Sequence, residues 1–441
     1  MKKIILYILL ALLLLLAAAY VFYLQPRLPI INGYVSKAAC SCTYLANRDL
    51  ATIEKEDLSF SPVDQSTPAL LPEEKAATSS FFGMGHAKSV YKEGFGCILI
   101  QGKDDYGISY PDYRPQADSF SFSYVDYNTV KNTKGLNREK LDQAIEDLFK
   151  PELETRTVLV IHKDTLVAER YAPGIDAQTP QLGWSMAKSV TSTLIGLMVK
   201  NDILTLESDH LFEEWENDER AKITLRDLLQ MNSGLEWVED YGSISDVTKM
   251  LYMEEDIVEF LLSKPAEFEP GTAWKYSSGT TNLLMGLIRK TLGDDEAYWL
   301  LPHTDLFDKI GMENALIETD ESGNFIGSSY CYATAREWAN FGLLHLHDGY
   351  WGAEQILPEG WVDFISQEAP NSKGTYGGQF WLNLSKADYP SLPASLYYAD
   401  GFQGQRVMIF PDEDVIIVRL GLSSDYSLDT QFADILKAMG H

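Results

Sequence analysis

An uncharged apolar run from Ile4 to Leu24 opens the chain, directly behind Lys2 and Lys3. At about 1.5 Å of rise per residue, a helix over this run spans roughly 31 Å, one hydrocarbon thickness. Basic residues ahead of the run predict an amino end inside and the remainder outside. We read residues 4–24 as a retained signal-anchor in the inner membrane. The competing reading is a signal peptide cut near Ala19, because Ala17 and Ala19 form an A-x-A pattern behind the run from Ile4 to Leu16. Either reading puts the bulk of the chain on the periplasmic or extracytoplasmic side.

The apolar spacing then changes along the chain. Residues 25 to about 125 are rich in Ser, Pro and Asp, with turn signals at Pro62-Val63-Asp64 and Pro111-Asp112-Tyr113-Arg114-Pro115, and predict an irregular extension. Asn137 reads as an N-cap, followed by Leu141, Ala144, Ile145, Leu148 and Phe149 at helical spacing. The β-branched run Thr157–Ile161 reads as a strand, Lys163-Asp164 as a turn and Thr165–Arg170 as the returning strand. From about 185 to 320 the pattern is mostly helical. Arg406–Phe410 and Val415–Leu420, separated by Pro411-Asp412-Glu413-Asp414, predict a late hairpin, and Phe432, Ile435, Leu436 and Met439 a final helix. Strands thus flank a helical middle. The expectation is an α+β fold: one antiparallel sheet built from distant segments, flanked by helices, with a mainly helical lobe inserted at about 185–320. The expected divisions are 1–27 (anchor or signal), 28–125 (extension) and 126–441 (main domain).

Composition narrows the function. Asp and Glu number 64 against 36 Lys and Arg, a formal charge of −28. Such a surface repels phosphate backbones and argues against a nucleic-acid partner. The 7 His are scattered and no Cys/His spacing fits a zinc site, so no metal or cofactor is implied. Export permits disulfides. Cys40 and Cys42 are too close to pair easily with each other, either could reach Cys97, and Cys331 reads as a buried thiol.

Chemistry enters at Ser185-Met186-Ala187-Lys188, which opens a helix with Val190, Leu194, Leu197 and Met198 at apolar spacing. Ser and Lys at i and i+3 share one face. Burial and the positive helix end disfavour the ammonium, so Lys188 can take the Ser185 proton while Ser185 attacks a carbonyl. Ser89-Val90-Tyr91-Lys92 matches the same spacing, but Gly94 and Gly96 leave no helix to hold it. Gly183-Trp184-Ser185 half-matches a nucleophile elbow and lacks its second Gly. Tyr276-Ser277-Ser278, ahead of the helical run Asn282–Ile288, supplies a phenol able to share a proton relay. Tyr241-Gly242-Ser243 and Ser245-Asp246-Val247 compete with it. Gly401-Phe402-Gln403-Gly404-Gln405 precedes the late strand; its small residues permit close backbone approach, and the N–H groups of Gln405 and Ser185 could form an oxyanion hole.

The ordered set S-x-x-K, Y-S-S and G-F-Q-G-Q resembles the serine β-lactamase-related superfamily: class C β-lactamases, D-alanyl-D-alanine carboxypeptidases, family VIII esterases and, nearest, 6-aminohexanoate-dimer hydrolase. Leu228–Leu235, Pro270-Gly271-Thr272 and Ser329–Trp338 look like the same family. The resemblance covers about 136–441. It implies a β-lactamase/penicillin-binding-protein-like fold, with Ser185 as nucleophile, Lys188 as base, Tyr276 as second proton carrier and the Gln405 backbone as oxyanion donor. Ser278 stands where class C enzymes carry Asn, and Phe402 where they carry Lys. The missing cation predicts poor β-lactamase activity and a pocket rim suited to an uncharged small-molecule ester or linear amide. Trp184, Ser278, Phe402, Gln403, Gly404 and Tyr241 are the substrate-binding candidates, with Trp237 a further aromatic. A D,D-carboxypeptidase or weak β-lactamase is the alternative, and a catalytically silent binding or sensor protein the second.

Overall fold

The amino-terminal apolar helix, Lys2–Ala19, does not stop at Gln25-Pro26. A π-turn over Tyr20–Leu24 and a 3-10 turn over Gln25–Arg27 absorb the hydrogen bond that proline cannot make, and the helix resumes as Leu28–Tyr44. Before the break its side chains are exposed; after it Val35, Ala39 and Cys40 are fully buried. The computed structural model describes residues 2–102, 108–113, 123–423 and 426–441. Arg114 and Pro115 of the expected turn lie outside the described residues.

The chain divides into two units. The first comprises residues 1–92, 97–107 and 238–255. Here the expectation of an irregular extension is corrected. Strands Ser66–Leu71, Ala76–Phe81, Met84–Lys92 and Gly96–Ile100 form a four-stranded antiparallel meander in sequence order. The sheet hides in the sequence because its second strand, Ala76–Phe81, consists of Ala, Ser and Thr up to its closing Phe. Those small residues admit the helix Leu28–Tyr44 against the sheet. Cys40 bonds Cys97, which settles the open choice of partner, and Cys42 stays outside the disulfide as a half-buried thiol. The Lys37 ammonium is buried in this unit and donates to the Cys97 carbonyl at 2.6 Å. Ser89 sits within a strand, its hydroxyl 3.0 Å from that of Ser36, so the second S-x-x-K match belongs to packing. Ser245 caps the helix Asp246–Tyr252, its N–H donating to Thr248 Oγ1 at 2.9 Å; the S-D-V stretch is a helix start. Tyr241 also belongs to this unit, where its exposed hydroxyl donates to Glu239.

The second unit comprises residues 93–96, 108–237 and 256–441. Its main sheet has six strands, in the spatial order Trp381–Leu382, Tyr397–Gly401, Gln405–Phe410, Val415–Gly421, Thr155–His162 and Thr165–Tyr171, each pairing antiparallel to the next. The late hairpin therefore sits beside the early one, as the α+β reading predicts. Lys163 and Asp164 turn the early hairpin with φ of 52° and 53°, the positive values of a tight hairpin turn. One sheet face packs on helices Arg138–Leu148 and Asp429–Met439 through Leu141, Leu148, Val158, Val160, Met408, Ile417, Phe432 and Leu436. Asn137 caps the first of these, accepting from the Lys140 N–H at 3.1 Å. Helix Ala335–Leu346 packs on the same strands from the other face: a Cβ on its Gly342 would crowd Val407 and Ile416. The candidate site is assembled from this unit alone.

Candidate active site

Ser185 lies in the 3-10 turn Trp184–Met186, which runs directly into the helix Ala187–Lys200. Lys188 falls on that helix's first turn, one turn beyond Ser185 on the same face. Trp184 has φ of 48°, a left-handed conformation that a bulky residue adopts only under constraint. That constraint comes from packing: a Cβ on Gly183 would overlap the buried Trp338 ring, so the chain approaches closely there and turns sharply into the helix.

Lys188 is 1% exposed. Its Nζ lies 3.0 Å from Ser185 Oγ, 2.9 Å from Ser278 Oγ and 2.9 Å from the Ser328 carbonyl oxygen. Tyr276 presents its ring to the same amine, with Nζ 4.8 Å from the centroid. The ring is held against Trp381 and Tyr376, at centroid distances of 5.4 and 5.9 Å. Three separate segments of the chain thus meet at one nitrogen.

Helix Ser278–Leu292 supplies the second wall. Ser277 caps it, accepting from the Thr280 N–H at 3.0 Å, and so fixes Ser278 at the first turn. Ser278 is fully buried beneath Lys188. The expectation placed Ser278 among substrate contacts; the structure places it as a partner of the amine. Asn282, one turn further along, was missed. Its Oδ1 accepts from the Ser328 N–H at 3.0 Å and its Nδ2 donates to Ser328 Oγ at 3.2 Å, which aims the Ser328 carbonyl at Lys188. The spacing of Ser278 and Asn282 at i and i+4 is the signal that could have found it. Gln379 was missed as well. It accepts from Thr281 and Ser189 at 2.7 and 2.8 Å through its side chain and backbone, and so ties the two helices together.

The segment Gly401–Gln405 closes the remaining side as the turn between strands Tyr397–Gly401 and Gln405–Phe410. A Cβ on Gly401 would overlap the Gly183 carbonyl oxygen, so the turn lies against the Ser185 segment. Gln403 and Gly404 take positive φ, 61° and 80°. Their carbonyls both accept from the buried Arg419 guanidinium at 3.0 Å. The Gln405 side chain is buried, donating to the Phe402 carbonyl at 3.0 Å and exchanging hydrogen bonds with the Gly421 backbone at 2.5 and 3.0 Å, which anchors the Gln405 backbone. Phe402 is 54% exposed and stacks edge-on against Trp184 at 5.8 Å; Tyr330 lies 5.8 Å from the same Trp184 ring. Trp237 is buried against Gly279 in the core. Asp400, just before the turn, has its carboxyl raised by burial, while the Arg406 guanidinium 2.6 Å away pulls it back down.

A six-stranded antiparallel sheet with helices on both faces, and a serine–lysine pair beside the turn between two of its strands, fit one class: the hydrolases of the serine β-lactamase, penicillin-binding protein and esterase superfamily. The chain belongs to the beta-lactamase family, whose model matches residues 141–429. It is 23% identical over 308 residues to the 6-aminohexanoate-dimer hydrolase of Paenarthrobacter ureafaciens, covering 64% of this chain and 74% of that protein. Among solved structures, a Bacillus anthracis protein assigned as a 6-aminohexanoate-dimer hydrolase superposes with a TM-score of 0.57 at 23% identity, covering 71% of this chain and 86% of the other. A family VIII carboxylesterase superposes with a TM-score of 0.55 at 14% identity, covering 71% and 98%. These superpositions establish the fold as α+β of the β-lactamase type.

Proposed function

We propose that this chain is an exported, membrane-anchored serine hydrolase that cleaves a small ester or linear amide through an acyl-enzyme on Ser185. The observation that carries the reading is the three-way contact of the Lys188 amine. A carbonyl oxygen only accepts, so one amine hydrogen is committed to Ser328. A second satisfies Ser278 Oγ. In the neutral amine this leaves the lone pair facing Ser185 Oγ. Lys188 takes the Ser185 proton as Oγ bonds to the substrate carbonyl carbon. The resulting ammonium has three hydrogens for the same three oxygens, so both protonation states are satisfied by one geometry.

The backbone N–H groups of Ser185 and Gln405 receive the developing oxyanion. The proton on Lys188 then passes through the Tyr276 hydroxyl to the departing alkoxide or amine as the carbonyl–heteroatom bond breaks. Water attacks the acyl-enzyme by the reverse proton route and frees Ser185. Trp184, Tyr330 and the exposed Phe402 offer an apolar rim, with Gln403 and Gly404 on the same turn. No lysine or arginine stands in the Gly401–Gln405 turn to hold a carboxylate, which favours an uncharged substrate. The Cys40–Cys97 disulfide supports an oxidising compartment, and the apolar amino-terminal helix supports an anchor there.

The test is turnover of a short p-nitrophenyl ester, and labelling by a fluorophosphonate, with the full chain in detergent. The wild type reacts and Ser185→Ala does not; equal reaction of both proteins would falsify the assignment.

A further inference from the structure

Phe82 and Gly83 form the two-residue turn between strands Ala76–Phe81 and Met84–Lys92, closed by the Phe81–Met84 pair. Both take positive φ, 48° and 76°. Such turns favour Asn, Asp and Gly, and a bulky aromatic is among the residues least suited to the first position. The ring at this strained place is also 69% exposed, lying edge-on to the buried Phe81 at 4.9 Å. An aromatic held out to solvent against backbone preference calls for an apolar partner.

The position of the tip says which one. Phe81 packs with Leu28 and Ile31 of the long helix, joined by Leu24 and Met84, and Asn32 Nδ2 donates to the Met84 carbonyl at 3.2 Å. The tip therefore sits beside helix residues 24 to 32, where the apolar run ends. Tyr20 and Tyr23 are exposed just before that level, and the Arg27 guanidinium lies 3.9 Å over the Tyr23 ring while donating to the Tyr23 carbonyl. Tyrosines followed by a snorkelling cation mark the edge of a bilayer. The opposite end of the same sheet, at Pro72–Glu74, carries two glutamates instead.

We infer that the Phe82–Gly83 tip is a second membrane contact, which seats the Phe82 ring in the phospholipid interface where the helix emerges. The inference rests on the membrane reading of residues 4–24. With 64 acidic residues against 36 basic ones the chain has no general attraction for anionic headgroups, so the contact is apolar and independent of lipid charge.

The test uses the full chain reconstituted in phosphatidylcholine vesicles, with a spin label at Phe82→Cys or, as reference, Glu73→Cys, each in a Cys42→Ser background. The label at 82 should collide with oxygen more often than the label at 73 and be shielded from a water-soluble nickel chelate relative to it. Adding phosphatidylserine should leave that difference unchanged. If the protein floats with the vesicles while position 82 is as open to the chelate as position 73, the interfacial contact is overturned and the anchor stands. If the protein does not float, the anchor and the contact fall together.

Discussion

The Lys188 amine donates to the Ser328 carbonyl oxygen across 2.9 Å, and in the proposed mechanism that pairing decides which way the neutral amine's lone pair faces. An oxygen that can only accept holds one N–H, and the proposed mechanism leaves the lone pair for Ser185. Two substitutions test this. Lys188→Ala should lower kcat/KM for an ester by about 3 kcal/mol of transition-state stabilisation or more. Lys188→Arg should not restore it, because a guanidinium stays protonated at any working pH and has no lone pair to offer. Recovery of activity in the arginine variant would show that the charge at 188, not its basicity, matters.

Ser278 is fully buried and its Oγ lies 2.9 Å from the same amine. Removing it leaves one amine hydrogen unmatched and frees the amine to turn. Ser278→Ala should cut kcat roughly tenfold, the effect of about 1.4 kcal/mol, at the upper end for one lost hydrogen bond. KM should change little, since the hydroxyl is shielded from the rim. A rise in KM with kcat preserved would return Ser278 to the substrate contacts.

Much of this arrangement is legible in the sequence, for identifiable reasons. The six-stranded sheet announces itself through β-branched runs such as Thr157–Ile161 and Val415–Val418 joined by short polar turns. Ser185 and Lys188 announce themselves through helical spacing. The Ser328 carbonyl is invisible because a backbone oxygen carries no residue type; only Asn282, one turn after Ser278, hints at it. The first unit is hidden because Ala76-Ala77-Thr78-Ser79-Ser80 lacks the apolar alternation that marks a strand. The choice between Cys40 and Cys42 depends on helix phase: residues two apart in a helix point about 200° apart. Only Cys40 faces the sheet, and it is fully buried.

Burial pushes the His162, His303 and His345 imidazoles down from 6.5 to about 4. A base with a lowered folded value stays neutral in the fold while the unfolded chain takes up a proton. Its stabilising contribution is therefore complete above pH 6.5 and is lost as pH falls towards 4. Asp320 works in the opposite sense: burial raises its carboxyl to about 7, so its contribution is lost as pH rises from 3.8 towards 7. His303 stacks on Tyr113 with centroids 4.0 Å apart. His303→Phe keeps a ring there and removes the titration. Thermal denaturation should show a smaller fall in Tm between pH 6.5 and 4 in this variant than in the wild type. An unchanged slope would mean that His303 does not resist protonation in the fold.

The Cys40–Cys97 bond closes a sequence separation of 57 residues between the long helix and the last strand of the first unit. The chain-entropy relation assigns a loop of that size about 4 kcal/mol of stabilisation. The double variant Cys40→Ala, Cys97→Ala should lose several degrees in Tm for the first unit and become open to limited proteolysis between residues 45 and 100. Ester turnover should survive in intact protein, since Ser185, Lys188, Tyr276 and the Gly401–Gln405 turn all belong to the second unit. Parallel loss of turnover at temperatures where the variant is still folded would mean that the two units are energetically linked.

Gly401 needs no special dihedral, with φ of −136°. Its lack of a side chain serves distance instead, because a Cβ there would overlap the Gly183 carbonyl oxygen. Gly401→Ala must push the turn and the Ser185 segment apart by a substantial fraction of an ångström. On the proposed mechanism the Gln405 and Ser185 N–H groups, which belong to the two segments in that contact, would then no longer serve a single oxyanion. A misplacement approaching 1 Å can cost about 100-fold in rate, and kcat/KM should fall by that order. The circular dichroism spectrum and fluorophosphonate labelling of Ser185 separate the causes. Slow labelling with an unchanged spectrum fits a widened oxyanion site, whereas wild-type labelling and turnover would show that the two segments do not need to touch.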